Sequence, residues 1–297
     1  MQNLKKWLPG ILLMLAGSGI FAQGAEQIAV MTFNIRFDNP ADGINAWSRR
    51  KDAVIDMLKK ERVVVLGVQE ALLNQLNDIK TGVPGLTWFG HGRDDGKTAG
   101  EFSAIYYDST WFELLNGKTF WLSPTPDSPG VKGWDAACPR VVTWVQLKNR
   151  ETGSTFFVIN THFDHMGEVA RRNSALIVSR LAVELSSRGP VMLLGDFNAS
   201  PESEVIQIIA EKSGLTEASA RLKDYKPATD CTFTGFDGKA CEHIDFIWIS
   251  SGFQTEDYQI LENDRGINRL SDHRPVKAIL SLKKGLKFNN LKQAPKL

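Results

Sequence analysis

Residues 193–201, LLGDFNASP, place two polar side chains directly after an apolar run. Asp196 and Asn198 are two residues apart, and side chains at that spacing point the same way along an extended chain. We therefore expect both to face one point just beyond a buried strand. A carboxylate and an amide held together in this way are suited to binding a cation or orienting a phosphate group.

Other polar side chains also follow the ends of predicted strands. Each one alone has an ordinary explanation, since a carboxylate after a strand commonly caps a helix or lies in a loop. Several such positions in one chain indicate a shared site, because sites in sheet proteins gather where strands end. Besides Asp196 and Asn198, the set comprises Asn34, Glu70, His162, Asp245, Asp272 and His273.

The residue types in this set select the chemistry. Carboxylates and amides are hard oxygen ligands, which suit Mg²⁺ or Mn²⁺ rather than a closed zinc site. The sequence contains no HExxH zinc motif, no GxSxG nucleophile elbow and no P-loop. Histidines beside an oxygen-bound cation favour metal-assisted attack of water on a phosphate ester.

Hydrophobic periodicity predicts the elements that position these side chains. The predicted strands cover residues 28–37, 63–68, 103–107, 141–147, 155–161, 191–194, 244–249 and 276–282, and the predicted helices cover 47–60, 72–80, 168–187 and 202–212. Long loops are predicted at 84–101, 123–140 and 222–242, and loops of such length in a compact domain are usually functional. This order indicates a single mixed α/β domain with two sheets.

A targeting segment is predicted before this domain. Lys5 and Lys6 precede an apolar run at 8–22 that is interrupted by proline and glycine and followed by small residues, as in a secretory signal peptide. The alternative is an uncleaved membrane anchor. We expect residues 1–22 to be a signal peptide, 26–285 a single domain and 286–297 a polar tail, with the mature protein periplasmic or secreted.

The mature chain is predicted to carry almost no net charge. Removing residues 1–22 takes away two lysines and no acidic residue, so the 35 basic residues fall to 33 against 34 acidic ones. This balance gives no general attraction to a polyanion. The basic cluster at 49–51 is expected to be a solvated helix face. Nothing in the sequence indicates a stable protein partner, and we expect a monomer.

Two of the three cysteines flank a turn signal. Cys231 and Cys241 enclose TFTGFDGKA, in which Asp237 and Gly238 are typical of a hairpin turn. Export to an oxidising compartment would favour a disulfide between them and leave Cys138 free. Three unpaired thiols are the alternative.

Six motifs, taken in order, resemble the endonuclease/exonuclease/phosphatase superfamily. They are TFNIR (32–36), VQEA (68–71), NTHFDH (160–165), GDFNASP (195–201), HIDFIW (243–248) and SDHRPV (271–276). The resemblance covers residues 28–282 and implies a four-layer α/β/β/α sandwich of two mixed β-sheets. It places the site where the two sheets open.

The resemblance also implies roles for individual residues. Glu70 resembles the principal metal ligand, with Asn34 beside it and Asp272 close enough to contribute. Asp196 resembles the base that activates water, and Asn198 its companion that orients the phosphate. His273 resembles a phosphate-binding histidine that is oriented by Asp245.

Four further residues are candidates around this centre. His162 resembles a second histidine of the deoxyribonuclease-like branches, and the GEF sequence suggests Glu101 as its partner. Arg140 resembles a phosphate-contacting arginine. Trp134 shares a predicted loop with Arg140, which makes it a candidate for lining the substrate pocket.

The sequence therefore predicts an exported, Mg²⁺- or Mn²⁺-dependent hydrolase of phosphate esters, with a phosphodiesterase favoured. A secreted nuclease acting on DNA or RNA is the first alternative, and the pair of His162 and Glu101 supports it. Against it, the chain has no basic stripe interleaved with aromatic residues. A phosphomonoesterase is the second alternative. A catalytically inactive binding module is the least expected, because the polar set is intact. The substrate could be a small molecule, a lipid headgroup or a nucleic acid.

Overall fold

The computed structural model describes residues 27–223, 225, 230–265 and 268–283, with 264, 265 and 268 described as backbone only. The predicted signal peptide at 1–22 and polar tail at 286–297 lie outside the described residues. No helix within the described ranges is both long and apolar enough to cross a bilayer.

Fourteen strands, four α-helices and two short 3₁₀ helices make up the described chain. The strands are β1 (Gln27–Asn34), β2 (Val65–Gln69), β3 (Leu86–Phe89), β4 (Ile105–Asp108), β5 (Phe112–Trp121), β6 (Val141–Asn149), β7 (Thr155–His162), β8 (Val191–Asp196), β9 (Thr216–Glu217), β10 (Asp245–Ile249), β11 (Phe253–Ile260), β12 (Asp264–Arg265), β13 (Asn268–Arg269) and β14 (Val276–Leu282). The α-helices are α1 (Trp47–Lys60), α2 (Leu73–Gly82), α3 (Glu168–Ser186) and α4 (Glu204–Lys212), and the 3₁₀ helices are Pro40–Asn45 and Ser219–Arg221.

Two six-stranded sheets are formed, with a short β12–β13 pair beside them. The first sheet has the order β11-β14-β1-β2-β4-β3, and the second has the order β5-β6-β7-β8-β10-β9. Each contains one parallel pair near its middle, β1 with β2 and β7 with β8. Because α1 and α3 return the chain across these pairs, the two strands of each pair end at the same edge of their sheet. The hydrogen bond between Asn34 and Asp196 joins the ends of β1 and β8, so these two edges face each other.

The apolar side chains form three layers of core between four layers of secondary structure. Helices α1 and α2 pack on the outer face of the first sheet, and α3 and α4 on the outer face of the second. A third cluster fills the space between the sheets, with Val30, Val65, Val158 and Leu194 among its members. The predicted α/β/β/α sandwich with two mixed sheets is confirmed.

Strand periodicity explains why the site lies between the sheets. In β1, Val30 points into the inter-sheet core while Phe33 packs under the helices, as alternation requires. Toward the carboxyl ends, the inward positions change from apolar to polar while staying buried. These inward polar residues are Thr32, Asn34, Gln69, Asn160, His162 and Asp196.

A buried amide network joins the two sheets next to this polar end. Asn160 Nδ2 on β7 donates to the carbonyl oxygens of Val68 at 2.9 Å and Ala104 at 2.8 Å. Its Oδ1 accepts from Gln69 Nε2 at 2.7 Å. Gly67 makes the approach possible, because a Cβ there would lie 2.8 Å from Asn160 Oδ1. The network fixes the spacing between the sheets where the site begins.

The structure corrects the predicted elements mainly at the sheet edges. β3 lies within the predicted loop at 84–101, and β5 and β11 were not predicted. β3, β5 and β11 are edge strands, and their mixed burial gives neither a continuous apolar run nor a clean alternation. The buried central strands match the prediction within a few residues.

Candidate active site

Strand register brings three of the predicted site residues together. His162 at the end of β7 pairs with Asp196 at the end of the parallel strand β8. Asp196 also pairs with Asp245 at the start of the antiparallel strand β10. All three are at least nine-tenths buried. Across the cleft, Asn34 ends β1 in register with Gln69, the residue before Glu70.

Asp196 lies at the centre of the site. Its Oδ2 accepts a hydrogen bond from Asn34 Nδ2 at 3.0 Å and lies 3.4 Å from His162 Nε2 and 3.8 Å from His273 Nε2. Burial, followed by the charge of Asp245, raises the pKa of Asp196 to about 7 against the opposing effect of its hydrogen bonds and His273. A carboxylate of raised pKa is a stronger base, which suits it to accept a proton from water.

His273 and Asp245 form a buried pair beside it. His273 Nδ1 lies 2.9 Å from Asp245 Oδ2, and the Phe233 ring lies against the imidazole with centroids 4.9 Å apart. Burial alone would lower the pKa of His273, but Asp245 first and then Asp196 and Asp272 raise it to about 10. The imidazolium therefore donates from Nδ1 to Asp245 and has a second N–H at Nε2.

His162 differs from His273 in charge. Burial first, then the positive charges of Arg140 and Arg93, lower its pKa well below the usual value, so it is neutral. Asn198 Nδ2 lies 3.0 Å from His162 Nε2 and 3.0 Å from the Phe163 carbonyl oxygen. Since the amide nitrogen donates, Nε2 is the acceptor and the His162 proton is on Nδ1. Asn198 is held there with a positive φ of 46°.

The half of the site that contains the candidate metal ligands Asn34, Glu70 and Asp272 is built on the first sheet. Glu70 Oε1 accepts from Asn34 Nδ2 at 3.1 Å, and Oε2 accepts from the Phe37 backbone N–H at 3.3 Å. Glu70 has a positive φ of 60°, a conformation that a non-glycine residue adopts at a cost and that is common at functional positions. Burial raises the pKa of Asp272, and Glu70 adds to this effect while His273 opposes it.

Two carboxylates whose charges act on each other in a partly buried cleft fit a divalent cation. A second group, Asp196, Asp245 and His273, offers ligand atoms that all lie within 4.8 Å of one another. In that group His273 is protonated and paired with Asp245, so neither imidazole nitrogen offers a lone pair to a cation. Glu70 and Asp272, with Asn34 beside them, therefore fit the cation better.

A small pocket opens next to these residues. Two of its lining residues, Arg140 and Arg93, each have a buried guanidinium nitrogen without a hydrogen-bond partner, Arg140 Nη1 and Arg93 Nε. Buried donors without partners are costly, and an anion would satisfy them. The lining residues are Glu70, Arg93, Glu101, Phe102, Ser103, Arg140, Val141 and His162.

The structure corrects the predicted partner of His162. Glu101 Oε2 binds Arg93 Nη1 at 2.7 Å instead, because residues 91–101 fold into a tight loop in which the Arg93 N–H also bonds the Glu101 carbonyl. Glu101 and His162 both line the pocket, but they do not form a pair. Arg93 was missed as a site residue. The signal for it was an arginine in a glycine-rich loop eight residues before an acid.

Arg140 is positioned by a buried carboxylate. Its Nε donates to Asp164 Oδ2 at 3.2 Å, and its Nη2 donates to His165 Nδ1 at 2.9 Å. Asp164 also accepts from three backbone N–H groups, those of Ala137, Met166 and Gly167. Burial would raise the pKa of Asp164, but these donors and Arg140 hold it well below its usual range.

Two loop predictions have different outcomes. Trp134 is 39% exposed, with a positive φ of 51°, and is not among the residues lining the pocket. The Cys231–Cys241 disulfide is present, and Cys138 is free. The disulfide loop carries Phe233, which packs on His273.

A known protein family matches the part of the chain that contains the candidate site. The model of the Endonuclease/Exonuclease/phosphatase family matches residues 31–273. The chain belongs to this family. It is therefore a phosphohydrolase of this superfamily, whose members typically depend on a divalent metal.

Solved structures agree with the family match. The endonuclease/exonuclease/phosphatase from Bacteroides vulgatus is 39% identical with a TM-score of 0.81, over 87% of this chain and 100% of that one. The mannosyl-6-phosphatase of Bacteroides thetaiotaomicron VPI-5482 is 35% identical with a TM-score of 0.81, over 86% and 100%. D. rerio TDP2, complexed with a single-strand DNA product, is 14% identical with a TM-score of 0.69, over 86% and 99%, and shares the fold.

Proposed function

We propose that this protein is an exported, divalent-metal-dependent hydrolase of compact phosphate monoesters, such as sugar phosphates. The observation that carries the proposal is the pocket beside Glu70 and His162, whose lining residues Arg140 and Arg93 have buried guanidinium nitrogens without hydrogen-bond partners. Two fixed guanidinium donors match the several oxygens of a terminal phosphate.

The polar residues around the pocket supply a consistent mechanism. A divalent cation bound by Glu70 and Asp272, with Asn34 beside them, would offset negative charge on the phosphate. Asp196 accepts a proton from the attacking water. Its raised pKa makes it a competent base near neutral pH.

The remaining residues orient and stabilise the reacting phosphate. Arg140 donates a hydrogen bond to one of its oxygens, whereas both Asn198 Nδ2 hydrogens are already given to Phe163 and His162. His273, kept protonated by Asp245, donates from Nε2 to the oxygen that gains negative charge in the transition state. Neutral His162 keeps Asn198 in place through the 3.0 Å contact between Nδ2 and Nε2.

The choice of a monoester departs from the phosphodiester favoured on sequence. The pocket is small, whereas a diester needs room for substituents on two sides. The relative named as a mannosyl-6-phosphatase is 35% identical, which supports a sugar phosphate. The near-neutral charge of the chain disfavours a long nucleic acid.

Export rests on the sequence of residues 1–22. The Cys231–Cys241 disulfide supports it, since disulfides persist mainly in oxidising compartments. Fractionation of expressing cells, with mass analysis of the mature amino terminus, tests the proposal. Recovery of the uncleaved chain in the cytoplasm would contradict it.

The substrate proposal is tested with Mg²⁺ or Mn²⁺ and with EDTA by measuring the product of each reaction. Monoesters release inorganic phosphate, whereas the diesters release p-nitrophenol, phosphocholine or shortened DNA. The panel should contain hexose phosphates, p-nitrophenyl phosphate, bis(p-nitrophenyl) phosphate, sphingomyelin and single-stranded DNA, with Asp196→Asn as the inactive control. We expect kcat/KM to be highest on hexose phosphates and activity to vanish with EDTA. Preference for either phosphodiester or for DNA would overturn the monoester proposal.

A further inference from the structure

Arg50 lies in the basic cluster at 49–51, yet its side chain is fully buried while that of Arg49 is exposed. The sequence predicts a solvated face for both, so Arg50 corrects that prediction. A buried guanidinium requires a specific set of partners, because its removal from water is costly. The hydrogen-bond partners of Arg50 therefore indicate its structural role.

The Arg50 guanidinium binds carbonyl oxygens from separate segments of chain. Nη1 donates to the Ile35 oxygen at 2.9 Å and to the Leu270 oxygen at 2.6 Å, which joins residues that are 235 positions apart. Nη2 donates to the Arg36 oxygen at 3.2 Å, and Nε donates to the Asn45 oxygen at 2.5 Å.

The segments held by Arg50 carry the candidate metal ligands. Ile35 directly follows Asn34, and Leu270 is two residues before Asp272. Neither segment is inside a strand at these positions. At these positions the two segments are bridged by side chains, beyond the end of the β1–β14 ladder.

Two further residues complete a polar clamp, which we define as Arg50, Asn263 and Ser271. Ser271 Oγ donates to the Asn34 carbonyl oxygen at 2.7 Å. Asn263 Oδ1 accepts from the Ser271 N–H at 3.2 Å, and Asn263 Nδ2 donates to the Ser271 carbonyl oxygen. All three members of the polar clamp are buried.

We propose that Arg50 is a positioning residue for the metal-binding half of the site, holding Asp272 at a fixed distance from Asn34 and Glu70 through the polar clamp. This inference rests on the proposed function, in which those three residues bind a divalent cation. Residues that orient metal ligands without touching the metal commonly change metal affinity or activity by about 10- to 100-fold when replaced.

An arginine is required because of the number and directions of the acceptors. Its planar group presents donors in a rigid fork, whereas a lysine amine is a compact point charge. Burial lowers the pKa of Arg50 to about 10, so the group stays charged at neutral pH. The Trp47 and Phe236 rings lie 5.4 and 5.5 Å from the guanidinium carbon and help to hold the cation.

The experiment measures Mn²⁺ binding directly, by calorimetry on the full-length protein without substrate. Arg50→Lys keeps the charge but removes the fork, and Arg49→Lys is the matched control on the same helix. We expect Arg50→Lys to weaken Mn²⁺ binding about 10- to 100-fold and Arg49→Lys to leave it unchanged. Ser271→Ala, a smaller change in the same clamp, should weaken binding less and serves if Arg50→Lys does not fold.

A second readout separates positioning from a general loss of structure. With a hexose phosphate as substrate, kcat of Arg50→Lys should approach the wild-type value as Mn²⁺ is raised, because excess metal compensates for weaker binding. Wild-type Mn²⁺ affinity in both Arg50→Lys and Ser271→Ala would overturn the inference and leave the proposed function intact. Absence of Mn²⁺ binding by the wild-type protein would overturn the proposed function itself.

Discussion

The two sheets contribute opposite kinds of environment to one site. On the second sheet, Asp196 and Asp245 are 1% and 0% exposed, and the pKa of Asp196 is raised to about 7. On the first sheet, the Glu70 side chain remains 16% exposed, and Asp272 is only partly buried. Proton transfer benefits from desolvation, whereas a metal ion must enter from water and keep open positions for substrate.

His273 and Asn34 connect the two environments. His273 directly precedes Arg274 and Pro275 on the approach to β14 of the first sheet, yet it binds Asp245 of the second at 2.9 Å. Asn34 ends β1 of the first sheet and donates to both Glu70 and Asp196. Separate variants on the two sheets should therefore show whether the halves have distinct roles.

The largest effect is expected from Asp196→Asn on the second sheet. Loss of the proposed base should reduce kcat by about 10²- to 10⁴-fold while Mn²⁺ affinity stays near that of the wild type. With EDTA present, thermal stability should not fall, because a buried carboxyl of raised pKa destabilises the folded state when ionised. Stopped assays, calorimetry and thermal melts measure the three quantities, with exposed Asp237→Asn as the control. A large loss of metal binding would mean that the two halves are not separable.

Glu70→Gln on the first sheet should have the reverse signature. Removing the charge of this proposed metal ligand should weaken Mn²⁺ binding by about 10- to 100-fold or more, at least as much as replacing Arg50, which positions the ligands without touching the metal. Activity should partly return at high Mn²⁺. A titration of activity against metal concentration measures this. If saturating metal gave no recovery, Glu70 would be needed for chemistry rather than for metal binding.

Asp245→Asn should have a smaller effect that depends on His273. Since Asp245 acts by orienting and charging the imidazole, we expect kcat to fall by less than about 10²-fold. His273→Ala should fall further, and the double variant should be no worse than His273→Ala alone. A loss in the double variant equal to the product of both single losses would show that the residues act independently.

The smallest effect concerns stability beside the site, at Asp164. Its folded-state pKa is depressed, so its stabilisation is present above the unfolded-state pKa of about 3.9 and is lost as pH falls toward the folded-state value. Asp164→Asn should lower the free energy of unfolding by about 1–3 kcal/mol at neutral pH, and the difference should shrink below about pH 4. Denaturant melts across pH measure it, with exposed Asp127→Asn as the control. A constant difference across pH would exclude the ionised carboxylate as the cause.

Much of the contrast between the two sheets could be predicted from the sequence alone. Inward positions on the central strands change from apolar to polar, so Asn34, Glu70, His162 and Asp196 could be assigned to strand ends before any coordinates. Alternation is a local property, and buried central strands carry a strong hydrophobic signal. The six motifs then indicated the family and the sandwich fold, which the structure confirmed.

Tertiary structure alone decided which side chains meet. Glu101 was expected beside His162 but binds Arg93, because a loop conformation and not a strand pattern sets its direction. Arg50 looks in sequence like its solvated neighbour Arg49, yet it is buried by carbonyl groups up to 220 residues away. Periodicity tells which face of an element a residue occupies. It contains no information about long-range partners, and those partners determine the charge, burial and position of each group in the site.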